Sequence, residues 1–471
     1  MAKCFFKNIK ENDIENLLQT LRQPSENYRN LNLNNDIGFL ILNDATQWQS
    51  HLLRTKEDGR EVIIPIDKNV FDQSEEIPGG ILRQELDKWL SGRDLFEDRF
   101  PVSGLKFYGR DAELQNLMRN IDEGQHTGIY GLRKVGKTSL MQKLAEKRPL
   151  DLVVYVDLQE ISVNDCAYLY WKIARKLQDE LTHKKELGLA LKEIKLDLGS
   201  ESDYLALDKP EEKNALRFDG DVRRLLGALA TNETTASSKI VITIDELEYM
   251  LPIGADNGFR GYDLFFRYLR GISQSTHGRV VSVIAAANPA ISEEPRWEGR
   301  DNPVFQFYRE VFLPPLEKQE CNEMITKIGR GMSVSFDVES LEAIYSETGG
   351  HPYITRQLCS HLVAQDKSRP LQVNRRLISD NINSFVRDKR AIFEEIIERL
   401  KNYFPEELDL LLAIAAKGSA KGSELAPLVT VPIDVALRHL IGYQIVDFQQ
   451  GEYKIKINLL HSWLKTYRLG K

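Results

Sequence analysis

The chain has 471 residues, 42% of them apolar and 28% charged, ordinary globular usage that excludes a mainly disordered protein and sizes it at about three domains of roughly 150 residues. Its 63 basic and 70 acidic side chains leave a net charge of −7, which excludes a protein that coats nucleic acid through overall basicity. The longest apolar runs, 240–244 and 280–287, fall far short of the roughly 20 residues a membrane span needs.

The first hundred residues predict a small α/β unit. DIGFLILND (36–44) and EVIIPID (61–67) read as buried strands, and ILRQELDKWL (81–90) as an amphipathic helix. A boundary is expected in 93–104, at Pro101 and Gly104. The amino-terminal stretch MAKCFFKNIKEND lacks a secretory apolar core, and Cys4, Cys166, Cys321 and Cys359 are scattered without a CxxC pair. Both features predict a reducing, cytoplasmic setting with no disulfide scaffold or zinc site.

From about 105 the pattern changes to strand, loop, helix, strand. HTGIYG (126–131) leads into a glycine loop, and TSLMQKLAEK (138–147) continues as a helix. DLVVYVDL (151–158), KIVITIDE (239–246) and GRVVSVIAAANP (278–289) are near-continuous apolar strands, the mark of a parallel sheet covered on both faces. The charged, aperiodic segment 183–216 reads as a surface insertion. After Pro314 and Pro315 the strands are expected to stop, and two helices end at glycines. In 405–471 short helices precede two alternating strands around Gly451, which suggests a winged helix-turn-helix. The resulting division is 1–100, a core at 101–315, a helical lid at 316–375, and linker helices plus winged helix at 376–471.

The loop G-L-R-K-V-G-K-T (131–138) matches G-x-x-x-x-G-K-[ST], lies between a strand and a helix, and predicts a phosphate cradle. Backbone N–H groups and the helix N-terminus face the anion. Gly131, Arg133, Gly136, Lys137, Thr138 and Ser139 form the binding set. Lys137 reaches the β- and γ-phosphates, and the Thr138 hydroxyl ligates Mg²⁺. A hundred residues on, Asp245 ends a buried strand and is expected to hold Mg²⁺ through water, with Glu246 polarising the attacking water. Asn288, at the end of the third strand, either orients water and the γ-phosphate or makes a turn before Pro289. Lys137, Glu246 and Asn288 are thus the catalytic candidates. Arg133, Arg267, Arg270, Arg296, Arg300 and Arg309 are finger candidates in cis or from a neighbouring subunit, each better read singly as a surface ion pair.

The ordered set FYGRDAEL (107–114), GLRKVGKTSL (131–140), IDELEYM (244–250), FLPPLEK (312–318) and ETGGHPYITRQL (347–358) resembles the AAA+-related signal-transduction ATPases with numerous domains, STAND, in their bacterial and archaeal ATPase branch. It is also similar to origin-recognition-type initiator ATPases, over about 100–471. The resemblance implies ATP with Mg²⁺, and it alone favours ATP over GTP. It places Tyr108, Gly109 and Arg110 on the adenine side, and matches Gly350, His351 and Pro352 to the lid motif, with the proline on the base and the histidine near the nucleotide. Read without the family, His351 before a proline is a helix cap. No sensor arginine follows the lid, Arg356 being the nearest. Residues 1–100 occupy a position where such proteins carry an effector or adaptor, which implies a protein partner. Three functions follow: an ATP-driven switch that changes conformation or forms homo-oligomers, a DNA-binding initiator-like ATPase, and a nucleotide-holding scaffold without turnover. For the DNA reading, IDVALRHLIG (433–442) would be the recognition helix, with Arg438 and His439, helped by Lys454, Lys456, Lys465, Arg468 and Lys471. Packing against the nucleotide core is the preferred reading of that face.

Overall fold

The computed structural model describes residues 2–4, 37–46, 48, 62–73, 78–97, 107–161, 163–184, 191, 193–198, 210–250, 259–297, 300–305 and 307–470. Three parallel strands, β1 (Ala2–Cys4), β2 (Ile37–Leu42) and β3 (Val62–Asp67), pair in chain order, and α1 (Pro78–Leu90) follows. Leu40, Ile64, Trp89 and Leu90 bury a core separate from the main one. Pro101 and Gly104, the expected boundary, lie outside the described residues. The segment just before them is tied down. Arg93 donates to the Gly331 carbonyl at 2.9 Å, Ser360 to Asp94 at 2.6 Å, and the Arg369 amide to Asp87 at 2.7 Å. Arg356 donates to the carbonyls of Phe96 at 3.1 Å and Leu95 at 2.9 Å. The nearest sensor candidate is therefore spent on anchoring residues 95–96.

Helix α2 (Asp111–Asp122) leads into the central sheet. Its strands are β4 (Thr127–Tyr130), β5 (Leu152–Asp157), β6 (Ile240–Asp245), β7 (Val280–Ala286) and β8 (Arg309–Phe312), all parallel, in the order β8–β4–β7–β6–β5. All of β6 and β7 is buried, which explains their unbroken Val/Ile content. Register aligns their ends: Tyr130 pairs with Ala286 and Phe312, and Asp157 with Asp245. The loop after β4 and the residues ending β6 and β7 thus share the carboxyl edge, where ligands sit in open α/β sheets.

Helices α3 (Lys137–Lys147), α4 (Cys166–His183), α5 (Pro210–Ala230) and α6 (Tyr262–Ser275) cover the sheet. Where it is described, the segment read as a surface insertion is partly core: Leu191, Leu196 and Leu198 are buried, and α5 begins at Pro210. The amides of Asp197 and Leu198 donate to the buried Asp221 carboxylate. Strand β8 escaped the sequence reading because it is a half-exposed edge strand without an apolar run.

Beyond it come α7 (Lys318–Arg330), α8 (Val338–Thr348), α9 (Pro352–Gln365) and α10 (Arg375–Asp388). The strands do not stop at Pro315, as expected above. β9 (Val334–Phe336) and β10 (Leu371–Val373) pair in parallel among these helices, each only three residues long and too short for a periodic pattern. Gly350 has φ 77°, and a Cβ there would lie 2.2 Å from the Leu316 carbonyl oxygen, so only glycine lets the two backbones meet.

Helices α11 (Arg390–Tyr403) and α12 (Pro405–Lys417) lead to the antiparallel pair β11 (Val446–Gln449) and β12 (Glu452–Ile455). The turn residues Gln450 and Gly451 both have positive φ, the requirement of a tight two-residue hairpin. Residues 433–442 do not form one recognition helix. They make two short helices, Ile433–Ala436 and Arg438–Gly442, broken at Leu437. Trp463 is buried, as a core residue should be.

The basic residues of the second short helix face the sheet domain. Arg438 pairs with Glu310 at 2.6 Å and Glu293 at 3.2 Å. The His439 ring stacks on Phe404 and lies between Glu407 at Nδ1 and Glu293 at Nε2, the latter at 3.0 Å. Burial pulls the imidazole pKa down, but the two carboxylates outweigh it and raise it to about 9. The charged form is the one the fold stabilises, so this latch contributes fully below the free-histidine value of about 6.5 and is lost as pH climbs through about 9. Urea unfolding at pH 6.5 and 9.5 should show the wild type losing more stability over that window than His439→Ala. Equal losses would show that the latch is energetically silent.

Candidate nucleotide-binding site

Tyr130 closes β4 and the chain enters the 131–136 loop. Gly136 has φ 109° and Lys134 φ 60°, left-handed residues that fold the loop back on itself before α3 begins. A Cβ on Gly136 would meet nothing within 4 Å, so the loop leaves open space beside it. Lys137 is buried, and its Nζ donates to the carbonyls of Gly131 at 2.9 Å and Leu132 at 3.2 Å, curling back over the loop. Burial lowers its pKa against the attraction of Glu248, Asp245 and Glu246. An ammonium so placed gains from an anion in the loop.

The metal candidates come together across a hundred residues. Thr138 Oγ1 donates to Asp245 Oδ2 at 2.5 Å, Tyr155 OH donates to the same oxygen at 3.0 Å, and the Glu246 amide donates to Oδ1 at 2.9 Å. No three His, Cys, Asp or Glu side chains gather as a metal cage among the described residues. A hard divalent ion here would complete its shell with phosphate and water oxygens, a donor set that suits Mg²⁺. Glu246 sits at φ 53°, a left-handed conformation rare outside glycine, at the tip of a buried strand. Burial raises its carboxyl pKa, reinforced by Glu248. Glu248 accepts from the Ala287 amide beside the buried Asn288, and ties the end of β6 to the end of β7. Ser139 is buried in the first turn of α3.

On the other side, the Arg110 amide donates to Glu320 of α7 at 2.9 Å, while its guanidinium pairs with Glu113 and donates to the Val135 carbonyl at 3.0 Å. Tyr108 and Gly109 therefore sit where α7 meets the loop. His351 caps α9, with Pro352 at the first helical position and the Ile354 amide donating to Nδ1 at 3.4 Å. Burial holds the imidazole neutral, its pKa lowered to about 3, and Nε2 lacks a hydrogen-bond partner. His351 is thus both a cap and a buried group with a free polar atom beside the loop.

The finger candidates that can be described are engaged locally. Arg267 pairs with Asp263, Arg296 with Asp301, Arg270 lies over the Phe307 ring, and Arg309 donates to Asn120 and Gln125. The Arg300 side chain lies outside the described residues. Arg133 pairs with Glu395 of α11 at 2.5 Å. The sequence reading missed Tyr155, Glu248, Glu395 and Arg399. Only Glu248, two residues past Glu246, carried a local clue.

A five-stranded parallel sheet in this order, with a glycine loop between β4 and α3, defines an AAA+-type P-loop ATPase domain. Residues 107–358 match the family described as an ATPase domain predominantly from Archaea, and the chain belongs to that family. No curated protein matches the chain. Among solved structures it is similar to the Walker-type ATPase of Pyrococcus abyssi, at 17% identity and TM-score 0.50 over 79% of this chain and 99% of that one. The ORC2 protein of Aeropyrum pernix, solved in ADPNP–ADP complexes, aligns at 13% identity and TM-score 0.39 over 80% and 99%. A STAND protein with a tetratricopeptide repeat sensor from Pyrococcus horikoshii aligns at 15% identity and TM-score 0.32 over 78% and 43%.

Proposed function

We propose that the chain is a Mg-ATP-hydrolysing switch of the STAND and AAA+ kind. The observation that carries this is the meeting of the buried Lys137 ammonium with the Thr138–Asp245 pair at one sheet edge. Thr138 and Asp245 hold the metal, which on binding neutralises charge on the phosphate oxygens. Loop amides and Lys137 grip the phosphates. Glu246, its carboxyl pKa raised, accepts a proton from the attacking water, and Asn288 orients that water. Tyr108, Gly109, Arg110, His351 and Pro352 enclose the base.

The helices of 316–375 act as a lid between two attached units. Residues 93–97 tie the N-terminal unit to it, so lid movement is transmitted to a protein partner at 1–100 or to a second copy. The C-terminal helices and hairpin act as a winged helix packed on the core, with Tyr443 OH donating to the Ala287 carbonyl at 2.7 Å. Arg438 and His439, the residues a DNA reader would use, are already paired with carboxylates, which favours the switch over the initiator-like reading. No helix among the described residues is long and apolar enough to cross a membrane.

The test is calorimetry on folded, nucleotide-stripped full chain with ATP and Mg²⁺, followed by steady-state phosphate release. One site filled and slow turnover are expected. Binding without turnover would leave the scaffold reading, and no heat with ATP or GTP would overturn the assignment.

A further inference from the structure

Arg356 is held by the Leu95 and Phe96 carbonyls, and a different guanidinium, that of Arg399, reaches the residues that follow β6. Arg399 lies on α11, the helix joining α10 to the C-terminal unit. Its guanidinium rests between two carboxylates, Glu248 at 3.9 Å and Glu395 at 3.7 Å, and remains 28% exposed. Both distances are those of ion pairs without hydrogen bonds, and Arg399 donates none among the described residues. Glu248 Oε2 is buried with no hydrogen-bond partner, while Oε1 holds the Ala287 amide. Arg399 also lies close enough to Lys137 and Glu246 to act on both electrostatically. This places it by the ends of β6 and β7, which Glu248 joins. The same helix reaches the loop a second time, through the Glu395–Arg133 pair.

We propose that Arg399 is the residue that distinguishes a nucleoside triphosphate from a diphosphate, leaving Glu248 to contact the terminal phosphate. The inference rests on the ATP reading above and names a group that reading does not contain. A planar guanidinium forms two short, charge-assisted bonds to a phosphate, a better partner than two carboxylates at ion-pair range. A diphosphate presents no oxygen at that position and leaves Arg399 on Glu248. Because α11 carries both Arg399 and Glu395, the exchange loads the segment linking lid and C-terminal unit.

The test measures ATP and ADP affinities, each with Mg²⁺, for full-length wild type, Arg399→Ala and Arg399→Lys, with thermal unfolding as a control on folding. Arg399→Ala should weaken ATP about tenfold or more and leave ADP within about twofold. Arg399→Lys keeps the charge but not the fork, and should fall between; it also carries the test if the alanine variant does not fold. Equal weakening of both nucleotides would mark a structural role and overturn the proposal, as would no change in either. Wild type that binds neither nucleotide would instead overturn the ATP reading itself.

Discussion

Lys137→Ala is expected to abolish ATP binding, weakening it by about a hundredfold or more, roughly 3 kcal/mol. The size follows from the site: Lys137 Nζ sits inside the loop, bonded among the described residues to the Gly131 and Leu132 carbonyls, and desolvated. Phosphate oxygens replace those neutral acceptors with charged ones in a water-poor place, where a charge-assisted bond is strongest. Alanine removes that gain and returns an unneutralised phosphate tail to the loop. The unliganded variant should be little affected, because it loses a buried charge along with two hydrogen bonds. Thermal unfolding reads both effects at once. The midpoint without nucleotide should stay within a few degrees of wild type, while the upward shift caused by saturating ATP should vanish. A full ATP-induced shift in the variant would remove Lys137 from the site.

Glu246→Gln should do the opposite, retaining ATP affinity within about threefold while steady-state phosphate release falls by roughly a hundred- to ten-thousandfold. Glutamine keeps the volume and hydrogen-bonding reach of the side chain but cannot take a proton. The Glu246 amide, which holds Asp245 Oδ1 at 2.9 Å, is untouched, so the carboxylate proposed to hold the metal stays oriented. Burial and the neighbouring Glu248 raise the Glu246 pKa, so wild-type turnover should fall on acidification at a higher pH than an unperturbed glutamate would give. Normal hydrolysis by Glu246→Gln would transfer the base role elsewhere, with the neighbouring Glu248 the next candidate. The two variants together separate binding from chemistry: one loses the complex, the other keeps the complex and loses the reaction.

The hairpin around Gly451 was legible because its alternating strands and turn glycine are local properties. The parallel pair Val334–Phe336 and Leu371–Val373 was not, because three-residue strands carry no period and their partners lie far apart in the chain. The break in 433–442 was also hidden. Its apolar spacing suits a helix, and the departure at Leu437 from helical φ and ψ carries no local signal. His351 caps α9, as its place before Pro352 suggests, and its unpartnered Nε2 is a property only the packing creates.

By itself the sequence determined the parallel core, the phosphate loop and the acidic end of β6. Each depends on near-neighbour pattern: buried Val/Ile runs, glycines where the backbone must turn left-handed, and a lysine at the head of a helix. Only the tertiary structure decided which acceptors each arginine meets. Arg356 is the closer of the two to the lid motif in sequence, yet it is committed to the Leu95 and Phe96 carbonyls. Arg399 lies some 150 residues past Glu248 and ends 3.9 Å from it. A guanidinium on a long side chain takes its role from whichever acceptors the fold brings within reach, and that is set by helix packing across the whole chain.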